Sequence, residues 1–303
     1  MDMNLPDLIE RFGSEDRCRG YLEALRWPSG VRCPRCESDK ISRIVKRNQY
    51  DCDSCRYQFS VRAGTVFHDS HLKLWKWFLA VYLICEAKKG VSANQLKRTL
   101  NVSYKTAWYL CHRIRWAMHE ANPEPLEGIV EMDETFVGGK AGNMHKSDRA
   151  RKFPKGSHPH ANKTMIVGAV ERGGDIRLKV GGGNSAVELH DFIRDNVDGE
   201  AMLYTDENRA YKPLPRHESV SHFEGEYVRG DVSTNNVESA WSLFKRSLVG
   251  SYHQLSTKHM DAYLDEFEFR FNNRENPYLF RDTLLALLKG DTLTYEELTM
   301  EPA

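Results

Sequence analysis

The 303-residue sequence predicts a multi-domain protein in which a small cysteine-bearing β-ribbon and a helical module precede an α/β domain with a mixed sheet. Three observations lead to this prediction. Two Cys-x-x-Cys pairs lie in a short strand-like stretch, and apolar residues at helical spacing follow it. From residue 128 onward, strand-like patterns alternate with helical ones. Hydrophobic residues make up 40% of the chain, which is enough apolar mass for several small cores.

The composition excludes a disordered chain and a membrane-spanning one. No stretch approaches the roughly 20 apolar residues that a spanning helix needs. The amino terminus lacks the basic and apolar regions of a signal peptide. Of the seven cysteines, four form two tight pairs, which suits a reducing compartment and a metal site better than disulfides. We therefore expect a soluble, cytoplasmic protein that has no membrane partner.

The balanced total charge hides an asymmetry along the chain. The 43 basic and 43 acidic residues cancel overall. Residues 31–118, however, carry an excess of eleven positive charges, and residues 121–303 carry an excess of eight negative ones. A basic part joined to an acidic remainder favours contact between the first part and a polyanion. The alternative is that these charges only solvate a surface.

Changes of pattern divide the chain into five segments. The rigid sequence Asn-Pro-Glu-Pro at 122–125 marks the main boundary, since a helix cannot easily continue through it. The segments are an N-terminal helical segment (1–30), a cysteine ribbon (31–68), a helical module (69–122), an α/β domain (126–290) and a tail (291–303). In the α/β domain we expect strands at 129–137, 164–171, 175–180 and 201–205, and helices at 185–196, 236–248 and 256–273.

The cysteine spacing predicts one structural zinc ion. Cys33, Cys36, Cys52 and Cys55 form the pattern C-x2-C-x15-C-x2-C. Two tight turns of this kind can complete the tetrahedral sulfur shell that zinc favours, and four thiolates leave no open position for a substrate. The alternative is two unrelated redox-active or buried pairs. The basic residues of the ribbon, Lys46 and Arg47, are candidates for phosphate contacts.

The helical module has the pattern of a helix-turn-helix. Ser92 opens a short helix that runs to Leu100, and Ser103 caps a longer helix that runs to about Met118. In a DNA-binding motif the second helix would lie against a groove. Its candidate DNA-binding residues are Lys105, Tyr109, Arg113 and Arg115. The alternative is an ordinary pair of packed helices.

Acidic residues at the ends of apolar runs indicate a second metal site. The alternation along the first strand puts Glu131 and Asp133 on one face and Glu134 on the other. Asp206 directly follows a later strand, and Glu238 opens a helix that also carries Lys245. Singly, each acid is explained as a surface group or a helix cap. Together Asp133, Asp206 and Glu238 predict a nuclease site that gathers two Mg²⁺ or Mn²⁺ ions, with Lys245 near a phosphate.

Five segments resemble bacterial insertion-sequence transposases of the DDE class, in the family numbered fifteen-ninety-five. They are Cys33-Pro-Arg-Cys36, Asp133-Glu-Thr-Phe-Val-Gly-Gly139, Tyr204-Thr-Asp-Glu207, Asn235-Asn-Val-Glu-Ser-Ala-Trp-Ser-Leu-Phe-Lys-Arg246, and 258–270 with Asn273-Arg274. The likeness extends from about residue 17 to about residue 290.

The resemblance implies a transposase zinc ribbon and a catalytic domain of the RNase H-like, ISXO type. The implied catalytic triad is Asp133, Asp206 and Glu238, with Lys245 as the associated basic residue. The family often has His-Thr-Asn before the glutamate helix, whereas Ser233 stands at the histidine position in this chain. Implied partners are double-stranded DNA, both transposon ends and target, and further copies of the chain on that DNA, associated with the nucleoid.

Three functions remain open on the sequence. The first is a transposase that cuts the transposon ends and joins the 3′-OH to target DNA. The second is a domesticated DNA-binding regulator, which the loss of an acid would favour, but none of the three acids is lost. The third is an RNase H-like nuclease without strand transfer.

Overall fold

The computed structural model describes residues 3–138, 145–147, 149, 163–182, 186–221, 225–226, 228–253 and 255–300. The chain divides into two compact units. One comprises Met1–His119 together with Glu275–Ala303, and the other comprises Glu120–Arg274. Among the described residues, no helix is long and apolar enough to cross a membrane.

The helices and strands are numbered in chain order. The helices are α1 (Leu5–Phe12), α2 (Glu15–Arg26), α3 (Leu74–Glu86), α4 (Ala93–Leu100), α5 (Tyr104–Trp116), α6 (Ala186–Asn196), α7 (Asn235–Ser247), α8 (Met260–Asn272), α9 (Leu279–Lys289) and α10 (Tyr295–Thr299). The strands are β1 (Ile41–Ile44), β2 (Gln49–Cys52), β3 (Gln58–Phe59), β4 (Ile129–Val137), β5 (Thr164–Glu171), β6 (Ile176–Gly181), β7 (Met202–Thr205), β8 (His217–Ser219), β9 (Val228–Arg229) and β10 (Val232–Ser233).

The ribbon of the first unit is a three-stranded sheet in the order β1-β2-β3, with antiparallel pairing throughout. Its apolar side is small. Trp27, at the end of α2, packs edge-on against Tyr50 and Phe59, with ring centroids 5.5 and 5.9 Å apart. So few apolar residues cannot stabilise a domain without further support, which is the usual condition of a metal-dependent ribbon.

Helices α4 and α5 begin where the serine caps predict, and α5 ends at Trp116, two residues before the predicted end at about Met118. The hydroxyl of Ser92 accepts a hydrogen bond from the Gln95 amide at 3.1 Å, and that of Ser103 accepts one from the Thr106 amide at 3.1 Å. Between the two helices, Asn101 adopts a left-handed conformation with φ of 48°. Asparagine tolerates that conformation better than most residues, so the connection is tight.

The last two helices belong to the first unit. Phe280 of α9 lies 5.9 Å from the ring of Phe12 and 5.8 Å from that of Phe78. The Val66 amide also donates to the Leu287 carbonyl at 3.1 Å. The sequence pattern extends the catalytic domain to residue 290, whereas in the structure the second unit ends at Arg274. The difference arises because the apolar face of α9 packs against Phe12 of α1 and Phe78 of α3.

The second unit is built on a five-stranded mixed sheet in the order β6-β5-β4-β7-β8. β4 pairs with β5 and β5 with β6 antiparallel, whereas β4 with β7 and β7 with β8 are parallel. The predicted mixed sheet is therefore confirmed. Strand β4 lies at its centre, which places the residues of β4 between neighbours on both sides.

The sheet of the second unit is covered on both faces. On one face, Val130 and Met132 join a core that includes Leu189 and Phe192 of α6. On the other face, the core is formed by β5 and β6 with α7 and α8. Its main members are Ile166, Val170, Ile176, Val237, Trp241, Phe244, Leu264 and Phe267. Even-numbered residues of β4 therefore point toward α6, and odd-numbered ones point toward α7.

Candidate active site

Asp133 lies in the central strand β4, on the face toward α7. Its partner in β5 is Gly168. A Cβ atom at position 168 would lie 2.5 Å from the indole ring of Trp241, so only glycine fits there. This close contact lets α7 approach the sheet directly beside Asp133.

Asp206 follows β7 and lies next to Asp133. In the parallel pairing of β4 with β7, Glu131 is level with Tyr204. Two residues further along the same register, Asp133 is level with Asp206. The Asp206 carboxylate accepts a hydrogen bond from the Asn208 amide at 3.0 Å, which orients it at the start of the following turn.

Glu134 joins these two aspartates. Carboxylate oxygens of Asp133, Glu134 and Asp206 all lie within 4.8 Å of one another. The hydroxyl of Tyr211 donates to Glu134 at 2.6 Å, and the Asn208 side-chain amide donates to it at 3.3 Å. The alternation of the strand correctly puts Glu134 on the opposite face from Asp133. The long glutamate side chain nevertheless reaches the cluster at the end of β7, and the only signal in the sequence was its place beside Asp133.

Two of the clustered acids, Asp133 and Glu134, have raised pKa values and hold their protons unusually tightly. Burial, followed by the charge of Asp206, raises the pKa of Asp133 to about 6. Burial also raises the pKa of Glu134 to about 7, and the charges of Asp206 and Asp133 add to the effect of burial. Neighbouring carboxylates that repel one another in this way are stabilised by a cation. The donors are all hard oxygen atoms, which fits Mg²⁺ or Mn²⁺.

Glu238 and Lys245 lie near this cluster but outside it. Both residues are exposed on α7. Thr234 donates to the Glu238 carboxylate at 3.0 Å. Glu238 raises the pKa of Asp133 and Lys245 lowers it, so both charges act on that carboxyl. Within the described residues, the group of closely spaced acids contains Glu134 as its third member instead of Glu238.

Glu131 has a different environment from Asp133, although both point toward α7. Its side chain is 0% exposed. It forms an ion pair with Arg172 at 2.8 Å and accepts hydrogen bonds from the backbone and the side chain of Asn236 at 2.7 and 2.8 Å. Because these partners occupy the carboxylate, Glu131 is a structural acid in this unit.

The four paired cysteines converge in the first unit. The Sγ atoms of Cys33 and Cys55 are 3.6 Å apart, and those of Cys36 and Cys52 are 3.5 Å apart. Tetrahedral zinc with bonds of about 2.3 Å requires sulfur atoms roughly 3.8 Å apart. The cluster therefore fits a structural zinc ion, as the sequence spacing predicts.

The predicted DNA-binding residues divide into accessible and buried ones. Lys46 and Arg47 are exposed in the connection between β1 and β2, and Lys105 is exposed on α5. Lys105 lies 4.0 Å from the ring centroid of Tyr295. The half-buried Tyr109 donates its hydroxyl proton to the Leu293 carbonyl.

The two predicted arginines of α5 are buried, which corrects the expectation that they face a groove. Arg113 is 4% exposed and Arg115 is 1% exposed. Arg113 donates to the carbonyl oxygen atoms of Val66 and His68. The sequence suggested exposed arginines because arginine is rarely buried. In the structure, the guanidinium group of Arg113 instead donates to carbonyl oxygens within the first unit.

Known proteins match both units. Residues 13–58 match the family model described as the transposase zinc-ribbon domain, and residues 125–272 match the ISXO2-like transposase domain. The chain is 34% identical over 275 residues to a protein of Halobacterium salinarum described as an uncharacterized protein in transposable element ISH50. That match covers 86% of this chain and 92% of the relative.

A shorter relative is an uncharacterized transposase-like protein of Haemophilus influenzae, which is 32% identical over 88 residues. This match covers 28% of the chain and 70% of the relative. The two domain matches, the extended similarity to the Halobacterium protein, the four-cysteine cluster and the acidic cluster agree with one another. The chain belongs to the IS1595 family of transposases.

Proposed function

We propose that this transposase cuts the phosphodiester bond at the ends of its element and joins the resulting 3′-OH to target DNA. The observation that carries the proposal is the meeting of Asp133 and Asp206 beside the helix of Glu238, in a chain of a transposase family. Half-buried carboxylates that repel one another are costly for the fold. A site that collects them at a sheet end is typical of metal-dependent phosphoryl transfer.

Asp133, Asp206 and Glu238 are the residues that would hold two divalent cations, Mg²⁺ or Mn²⁺. When bound, such ions activate the attacking oxygen and stabilise the leaving oxygen of a phosphodiester. Asp133 and Asp206 supply carboxylates from adjacent strands. Glu238 approaches from the exposed first turn of α7. Lys245 lies in the last turn of the same helix and would neutralise a phosphate of the bound DNA.

DNA recognition is assigned in the proposal to the first unit. The ribbon offers Lys46 and Arg47 in an exposed turn, and α4 with α5 would act as a helix-turn-helix in which Lys105 is accessible. Contacts of lysine and arginine with phosphates position a protein on a duplex without reading its sequence. We expect copies of the chain to assemble on the two ends of the element, in the cytoplasm at the nucleoid.

An assay with the DNA that flanks the gene tests the proposal. We expect the full-length protein with Mg²⁺ to cut at the element's ends and to join those ends to a target duplex. Cutting without joining would favour a nuclease that lacks strand transfer. Binding without cutting by the wild-type protein would favour a DNA-binding regulator. Either result would contradict the proposed function.

A further inference from the structure

The buried carboxylate of Glu131 holds the start of helix α7. One of its oxygens accepts hydrogen bonds from the backbone amides of Asn236 at 2.7 Å and Val237 at 3.3 Å. The other accepts a bond from the Asn236 side chain at 2.8 Å. These amides belong to the first turn of α7, where backbone N–H groups have no partner within the helix.

Glu131, an acid of strand β4, caps the amino terminus of helix α7. Thr234 occupies the position before α7, but its hydroxyl donates to Glu238 and makes no cap bond to the first turn. A carboxylate at the amino terminus of a helix also interacts favourably with the helix dipole. Glu131 therefore satisfies both the donors and the partial positive charge at the beginning of α7.

Arg172 completes the arrangement. Its Nε atom lies 2.8 Å from Glu131, and a terminal nitrogen donates to the Ser233 hydroxyl at 2.8 Å. Its backbone amide donates to the Ile129 carbonyl at 3.0 Å. Ser233, at the position where the family often has histidine, is thus tied to the same network. Because each polar group has a partner, the buried charge is compensated.

We propose that Glu131 is a positioning residue that fixes Glu238 relative to Asp133. Glu131 and Asp133 lie two residues apart on one face of β4, so a single strand carries one proposed metal ligand and the anchor of the helix that carries another. Glu238 is only two residues beyond Asn236, in the turn that Glu131 holds. This inference rests on the proposed function, in which Glu238 binds metal.

Binding of Mn²⁺ to the zinc-loaded, full-length protein tests the inference in a double-mutant cycle. The variants are E131Q, E238Q and E131Q/E238Q. In E131Q an amide replaces the carboxylate, which removes the charge that faces Arg172 and turns one acceptor into a donor. We expect E131Q to weaken Mn²⁺ binding about tenfold or more, as is usual when a residue that orients a metal ligand is lost.

The double variant separates positioning from general damage to the fold. If Glu131 acts through Glu238, E131Q/E238Q should bind Mn²⁺ no more weakly than E238Q alone. A purely structural effect would instead multiply the two losses, and that result would overturn the inference. If E238Q weakens Mn²⁺ binding and E131Q leaves it unchanged, the inference is overturned while the metal-binding role of Glu238 stands. Unchanged binding by E238Q would overturn the metal-binding role of Glu238 and the inference with it.

A matched control is Glu268, an acid of α8 in the same unit. It accepts a hydrogen bond from the Leu178 amide at 2.9 Å and lies 3.8 Å from Arg177. E268Q should leave Mn²⁺ binding unchanged. Should E131Q not fold, N236A removes only the Asn236 side-chain bond to Glu131. We expect it to weaken Mn²⁺ binding severalfold, and unchanged binding beside weakened binding by E238Q would overturn the inference.

Discussion

Tyr211 donates its hydroxyl proton to the carboxylate of Glu134 at 2.6 Å, on the side of the sheet away from helix α7. Glu134 is thereby held within 4.8 Å of Asp133 and Asp206, two of the three acids that the sequence assigns to catalysis. Asn208 contacts both Glu134 and Asp206, so the turn after β7 orients two of the three carboxylates. Tyr211 and Asn208 together therefore hold the acidic cluster in place.

Replacing Glu134 should impair cleavage less than replacing Asp133. Glu134 points from the opposite face, and Tyr211 and Asn208 already engage its carboxylate. We expect E134Q to reduce the rate of DNA cleavage about ten- to a hundredfold, as for residues that support a metal ligand. Y211F, which removes only the hydroxyl, should give a smaller loss in the same direction. Abolished cleavage in E134A with activity retained in D133A would contradict this assignment of the two acids.

The same cluster predicts how stability depends on pH. Folding raises the pKa of Glu134 from 4.5 to about 7, so the folded protein holds this proton more tightly than the unfolded one. The contribution of this protonated carboxyl to the stability of the fold is fully present below about pH 4 and is lost as the pH rises through about 7. In Mg²⁺-free buffer, E134Q should therefore be more stable than wild type at pH 8, by on the order of 2 kcal/mol, and similar at pH 5. Thermal unfolding at both pH values measures this, and an equal difference at the two values would refute it.

Loss of one cysteine of the cluster should release zinc and unfold the ribbon. Cys36 contributes one of four converging thiols, and the apolar core around them is small. We expect close to one zinc per wild-type chain, a loss of zinc in C36S, and weakened DNA binding with the second unit still folded. C85S is the matched control, because Cys85 lies outside the cluster and contacts Thr283. Metal analysis that finds no zinc in wild-type protein purified without chelator would rule out the zinc site.

Reversing the charges of Lys46 and Arg47 should weaken DNA binding in a salt-dependent way. Both side chains are exposed in the turn between β1 and β2. If each contacts one phosphate, the variant K46E/R47E should reduce the magnitude of the slope of log affinity against log salt by about 2. K289E, an exposed charge reversal on α9, serves as the control. An unchanged slope in K46E/R47E would exclude this turn from the DNA interface.

Local patterns predicted much of the architecture. The predicted strands 129–137 and 164–171 have those bounds in the structure, and the caps at Ser92 and Ser103 form as expected. Period-two alternation placed Glu131 and Asp133 on the same face, and the cysteine spacing indicated the metal cluster. These features depend on neighbours along the chain, which is why the sequence alone contains them.

The sequence alone could not predict the features that depend on tertiary contacts. The pairing of Glu131 with Asn236 joins residues 105 positions apart, and that of Glu134 with Tyr211 joins residues 77 positions apart. The periodicity of the sequence does not reveal contacts between residues so far apart along the chain. The burial of Arg113 likewise depends on carbonyls supplied by residues 66 and 68, and the grouping of α9 with α1 and α3 depends on aromatic contacts made across almost the whole chain.

Cleavage by D206N tests the central claim most directly. The substitution keeps the size of the side chain and removes its negative charge, so the ribbon and the helices of the first unit should be unaffected. The measurement is single-turnover cleavage of the flanking DNA in Mg²⁺, with end binding followed in the same preparation. We predict that D206N binds the ends as tightly as wild type and does not cut them. Cutting by D206N at the wild-type rate would contradict the assignment of Asp206, and with it the proposed catalytic site.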